Sequence, residues 1–184
     1  MTRWLVLPVL IGAPLMAAEA TLALDPGRTK VAFTLGDVLH TVHGTFQMER
    51  GSITFDPSTG MASGEIVVNV ASGDSGAGAR DKRMHKEILE SARYPEAIFK
   101  PDRVEGTLAN AGESQLDVHG IFTMHGSSHD VTFHFRIQSA GDTVSAVTNF
   151  KIPYVQWGMK NPSNFLLRVN DTVDMTIQAT GRLR

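Results

Sequence analysis

Residues 116–137 read LDVHGIFTMHGSSHDVTFHFRI, and two alternating runs share this stretch. Leu116, Val118, Phe122 and Met124 keep one parity, and Val131, Phe133, Phe135 and Ile137 repeat the pattern without a gap. Successive side chains of a strand leave opposite faces, so an apolar period of two marks a strand with one buried face. Gly126 ends the first of these strands in a turn.

The same period extends in both directions. Upstream it reads Val31, Phe33, Leu35, then Val42, Phe46, Met48, then Ile53, Phe55, then Ile66, Val68, Val70. Gly51 is read as the separator of the second and third of these strands. Asp56-Pro57-Ser58-Thr59-Gly60 is a turn by its chemistry, with Pro setting φ and Asp and Gly suiting the flanks. Further strands are expected near Ala97–Thr107, Val144–Phe150 and Val173–Ala179, the last carrying Val173, Met175, Ile177 and Ala179.

The pattern breaks at residues 71–95, ASGDSGAGARDKRMHKEILESARYP. A Gly/Ser-rich loop there leads into a short helix, with Met84 and Ile88 four apart on one face. Asp81 with His85, and Arg83 with Glu87, form i, i+4 pairs on other faces, and Pro95 disfavours helical geometry at Tyr94. Residues 152–167, IPYVQWGMKNPSNFLL, read as a long structured loop. Eight or more short strands with one helix predict an antiparallel barrel or a sandwich, and alternation alone does not choose between them.

The N-terminus carries Arg3, the apolar run WLVLPVLIGAPLM and the small residues Ala17, Ala18 and Ala20. This is the pattern of a secretory signal peptide over residues 1–20, with the mature domain at 21–184. The run contains Pro8 and Pro14 and is shorter than the ~20 apolar residues of a spanning helix, so no stable membrane anchor is expected. A periplasmic or secreted location follows. The chain has no cysteine, which removes disulfides, thiol catalysis and cysteine metal sites. Its formal charge of −2 gives no footprint for nucleic acid.

Several motifs together resemble the YceI-like family. Arg80-Asp81, Leu89, Ser91, Tyr94-Pro95 and Phe99 resemble its "RD … L … S … YP … F" stretch. Val118 to Gly126 resembles its "v-x-G-x-l-t-i-H-G" strand, and GSITFDP after Gly44-Thr45-Phe46 also fits. The resemblance covers roughly residues 22–183 and implies an all-β, antiparallel eight-stranded lipocalin-like barrel with one short helix. It further implies an exported protein without established catalysis, whose apolar tunnel holds a polyisoprenoid or similar lipid. Two departures stand out: Phe33-Thr34-Leu35-Gly36 lacks the histidine that many members carry there, and residues 153–169 are no general signature.

The expected lumen lining is Phe33, Val42, Phe46, Ile66, Val68, Phe122, Phe133, Phe135, Ile137, Met175 and Ile177. Small residues at Gly44, Gly64, Gly120, Ala146 and Ala179 are expected to leave room between them. Parity turns His40 and His129 inward and His43 and His134 outward. The candidates for holding a head group are His40, His129 and His85, with Trp157, Lys160 and Arg168 of the aromatic loop. Arg80 and Asp81 are read as a structural ion pair. No catalytic or metal-binding set is assigned: Ser91, Ser127 and Ser128 lack a nucleophile elbow, and no H-E-x-x-H spacing occurs.

The first functional expectation is an exported lipid-binding barrel, monomeric or homodimeric, that holds a long-chain amphiphile and needs no cofactor. The alternatives are a periplasmic metal-dependent enzyme built on His40, His129 and His85, with Asp81 as another possible ligand, and a closed-core interaction domain without a ligand-sized cavity.

Overall fold

The computed structural model describes residues 19–36, 41–164 and 168–184. All but Glu19 and Ala20 of the expected leader lie outside these residues, as does His40. The strands are β1 (Ala20–Leu24), β2 (Lys30–Gly36), β3 (Thr41–Phe55), β4 (Ala62–Asp74), β5 (Glu96–Glu105), β6 (Ala111–Met124), β7 (Ser127–Ala140), β8 (Thr143–Ile152) and β9 (Val173–Leu183). All pairings are antiparallel, and contacts of β3 with both β2 and β4 close the sheet on itself.

The nine segments make an eight-stranded barrel because β1 and β2 share one stave. β2 lies between the first half of β3 and the start of β9, while β1 lies between the far ends of the same two strands. A 3-10 turn at Pro26–Arg28 divides them, capped by Asp25, whose carboxylate accepts from the Gly27 amide at 2.9 Å. Thr21 in β1 and the C-terminal Arg184 are tied by reciprocal backbone bonds at 3.0 and 2.8 Å. Closure leaves no free sheet edge in the ring.

The tight β6–β7 connection is His125-Gly126, with φ of 52° and 76°. Positive φ at both central residues matches the right-handed twist of a two-residue hairpin. His125 accepts this geometry while its ring packs on Tyr94 at 4.6 Å between centroids. Its Nε2 lies 3.2 Å from Glu90 Oε2, off the hydrogen-bonding direction.

Gly51 does not separate two strands; β3 is continuous from Thr41 to Phe55. A bulge at Glu49 changes its phase, since Met48 faces Val68 whereas Arg50 faces Val67. The extra residue carries the apolar set from even to odd positions, so Met48 and Ile53 are both buried. β5 has the same device at Asp102, where the register shifts between Pro101 and Arg103. The bulged Asp102 accepts from His119 Nδ1 at 2.6 Å on the outer wall, and Asp130 holds the other ring nitrogen at 2.9 Å.

A larger irregularity ends β4. Phe46 alone stands opposite Val70–Gly73, and Ser72 fills the ladder by accepting from the Gln47 amide at 2.7 Å. This bulge leads into α1 (Gly78–Arg83) and a π turn at Met84–Ile88 closed by Leu89 N–H to Met84 O at 2.9 Å. The short helix expected around Met84 and Ile88 is therefore present. Arg80 and Asp81 do not form the expected pair. Each grips Ser75 instead: Asp81 accepts from its amide at 3.0 Å and from its hydroxyl, while Arg80 donates to its Oγ and carbonyl at 2.7 Å each. The Ser75 hydrogen bonds hold the Asp81 carboxyl below its usual range.

Candidate functional site

The barrel interior holds two spaces end to end. The larger, of about 390 Å³, lies where β2, β4, β6 and β8 finish and β3, β5, β7 and β9 begin. Met84 and Ile88 of the helical segment and Tyr154, Met159 and Pro162 of the loop after β8 cover it. The smaller, of about 110 Å³, lies toward the opposite end. Val31, Val68, Ala97, Phe122, Phe150 and Ile177 face both spaces and form the ring between them. The larger volume falls in the roughly 300–1,000 Å³ range of ligand pockets. A closed core without a ligand-sized cavity, one of the expectations from the sequence, is not what this chain builds.

Each residue of the expected lining faces one of these spaces. Phe33, Val42, Phe46 and Met175 face the larger, Ile66, Phe133, Phe135 and Ile137 the smaller, and Val68, Phe122 and Ile177 both. The reason proposed for the room between them needs correction. A Cβ on Gly44 would lie 2.3 Å from the Phe33 ring, and one on Gly120 would lie 2.2 Å from the Lys100 carbonyl. Gly44 makes space for Phe33, and Gly120 for the close approach of β5 at its bulge. Gly64 is exposed with φ of 119° and serves the β3–β4 pairing, where its Cβ would meet the Ser52 carbonyl. Only Ala146 and Ala179 face the cavity.

Among the described residues, the polar groups that line the larger space lie near its mouth. They are Ser75, Arg80, Arg83 and Tyr154. Arg83 bridges the helical segment and the loop, donating from Nε to Glu87 at 3.2 Å and from Nη2 to the Pro162 carbonyl at 3.5 Å. Tyr154 donates to the Asn170 carbonyl at 2.6 Å, and burial, aided by Asp171, pushes its phenol up to about 12. These residues were not among the head-group candidates. The i, i+4 spacing of Arg83 and Glu87 showed their pairing, but only the docking of α1 over the barrel end shows that Arg83 faces the interior.

The described head-group candidates do not converge. Both ring nitrogens of His85 serve structure: Nε2 donates to the Gly73 carbonyl at 2.8 Å, and Nδ1 accepts from Ser91 at 3.1 Å. His129 does lie on the inner face of β7, directly opposite Phe122, but it stacks on Trp157 at 3.8 Å and 9°. Its Nε2 is enclosed with no partner among the described residues, and burial lowers its pKa. Trp157 also packs on Phe122 at 5.8 Å, so the pair fastens the loop to the barrel. Lys160 and Arg168 are exposed. His43 and His134 sit outside, bonded to Thr34 at 3.1 Å and Asp117 at 2.6 Å. Among the described residues no three His, Asp or Glu side chains form a group able to hold a metal ion.

Known proteins share this architecture. BcnA of Burkholderia cenocepacia superposes with a TM-score of 0.70 at 20% identity, over 85% of this chain and 98% of that one. A polyisoprenoid-binding domain of Saccharophagus degradans gives 0.69 at 17% identity, over 89% and 98%. In sequence, a UPF0312 protein of Pseudomonas putida is 30% identical over 150 residues, 76% of this chain and 73% of the relative. A UPF0312 protein of Vibrio cholerae is 27% identical over 141 residues, 73% and 72%. The model of the YceI-like domain matches residues 22–181, and on that match the chain belongs to the YceI-like family.

Proposed function

We propose that the protein is an exported binding protein that holds one long-chain amphiphile, its apolar chain in the two spaces and its head at the mouth beside Arg80, Arg83 and Tyr154. The observation that carries this reading is the distribution of polarity: the mouth has two cations and a phenol, while the deeper space is almost wholly apolar. The solved Saccharophagus degradans relative, named as a polyisoprenoid-binding domain, supports a lipid of that class. The expected leader supports export. Affinity comes chiefly from desolvation, at about 25 cal/mol per Å² of apolar surface buried, less the cost of ordering a flexible chain.

The ring between the spaces supplies the test. Ala97 belongs to that ring, and Ala97→Phe narrows it. Delipidated protein is titrated with polyprenyl alcohols of increasing length. The reading predicts that affinity rises with length in the wild type and that the variant loses this gain while still binding the shortest chain. Length-independent binding, or none, contradicts it.

A further inference from the structure

We infer that the mouth of the barrel docks on an anionic lipid bilayer, through Lys82 and Lys86 of the helical segment, and that ligand enters and leaves there. The inference rests on the lipid-binding reading only for what crosses the contact.

The charge pattern is local. The chain as a whole is net −2, yet residues 78–88 carry Arg80, Lys82, Arg83 and Lys86 against Asp81 and Glu87. Both acids are occupied, Asp81 by Ser75 and Glu87 by Arg83. Lys82 and Lys86, four residues apart and exposed, have no acidic partner among the described residues. Lys160 and Arg168 add exposed cations beside Met159 and Val169, which line the same space. The exposed lysines and the mouth of the larger space therefore coincide; of the other acids at this end, Asp74 accepts from the Gly76 amide, Glu90 lies against His125 and Asp171 lies near Tyr154.

A bilayer fits this face better than a soluble acidic partner does. The cations surround an apolar opening rather than a polar one: Met84 and Ile88 line it from the same segment that exposes the lysines. A long-chain amphiphile has almost no aqueous concentration, so direct contact between opening and bilayer spares its chain the transfer through water. The contact between Arg83 and the Pro162 carbonyl is long, at 3.5 Å, and lipid phosphates compete for that guanidinium.

The test is co-sedimentation of the full mature chain with phosphatidylcholine vesicles, with and without phosphatidylglycerol, at low and high salt. Wild type is expected to sediment only with phosphatidylglycerol and to be released by salt. Each lysine near an anionic surface adds about 1 kcal/mol, so Lys82→Glu with Lys86→Glu lowers partitioning about tenfold or more. Arg136→Glu with Arg182→Glu makes the same change in net charge on exposed positions of the distal half and leaves partitioning within about twofold. Circular dichroism confirms that each variant keeps its barrel. Equal losses in the two variants, sedimentation without phosphatidylglycerol, or no sedimentation at all overturns the inference; the last result leaves the basic face to a soluble acidic partner. Lipid content, read separately by mass spectrometry, distinguishes the two readings. A protein that carries lipid but ignores the vesicles fails only the docking inference, and one that docks but never takes up lipid fails only the proposed function.

Discussion

His119 lies six residues before and His129 three residues after the His125-Gly126 turn, and their surroundings push them in opposite directions. Stacked on Trp157 and desolvated, His129 is held below its ordinary value of 6.5. Flanked by Asp102 and then Asp130, His119 is held above it. The signs follow by linkage. His129 favours folding above pH 6.5, and its contribution is lost as pH falls through its lowered folded value. His119 favours folding below pH 6.5, and its contribution is lost as pH rises through its raised folded value. NMR titration of the two imidazoles is expected to place their midpoints on opposite sides of 6.5. Trp157 is the only tryptophan after Trp4, so its fluorescence follows His129 alone once residues 1–20 are removed. A shared midpoint contradicts this account, as does an acid-induced change in Trp157 emission that persists in His129→Phe.

Along β7 the alternation assigns faces residue by residue, and the strand obeys it from Ser127 to Ala140. Phe135 faces the smaller space and Arg136 is exposed. Phe135→Asp places an unpaired carboxylate in an apolar interior and is expected to cost several kcal/mol, seen as a large fall in melting temperature. Arg136→Asp is expected to change stability by no more than about 0.5 kcal/mol. Equal effects would show that the faces are misassigned. β6, β7, β8 and β9 were legible for this reason: their phase runs unbroken from end to end. β3, β4 and β5 were less so, because Glu49, Val70–Gly73 and Asp102 reset the phase and a bulge leaves no simple mark in the apolar pattern. The mouth was legible least. Arg80 and Arg83 gain their position from the docking of α1 across the barrel end, a contact between distant segments that no local spacing encodes.

At the scale of the molecule, one closed sheet encloses two spaces that share a ring of six residues, with polar lining at one end. The family resemblance decided barrel over sandwich, a choice that depends on strand closure and not on alternation. Gly44 shows why the free volume was harder to foresee than the lining: the space it leaves is taken by Phe33, so small inward residues do not add up to a cavity. The free volume lies on either side of the ring, about 390 Å³ toward the mouth and about 110 Å³ beyond it, and its contents are the central question. Native mass spectrometry of the mature protein, purified from a periplasm without detergent, asks it most directly. The account predicts a one-to-one adduct with the mass of a long-chain amphiphile, removed by organic extraction and restored by adding the extract back. A protein that is consistently empty and takes up neither the extract nor a polyprenyl or fatty ligand would contradict it.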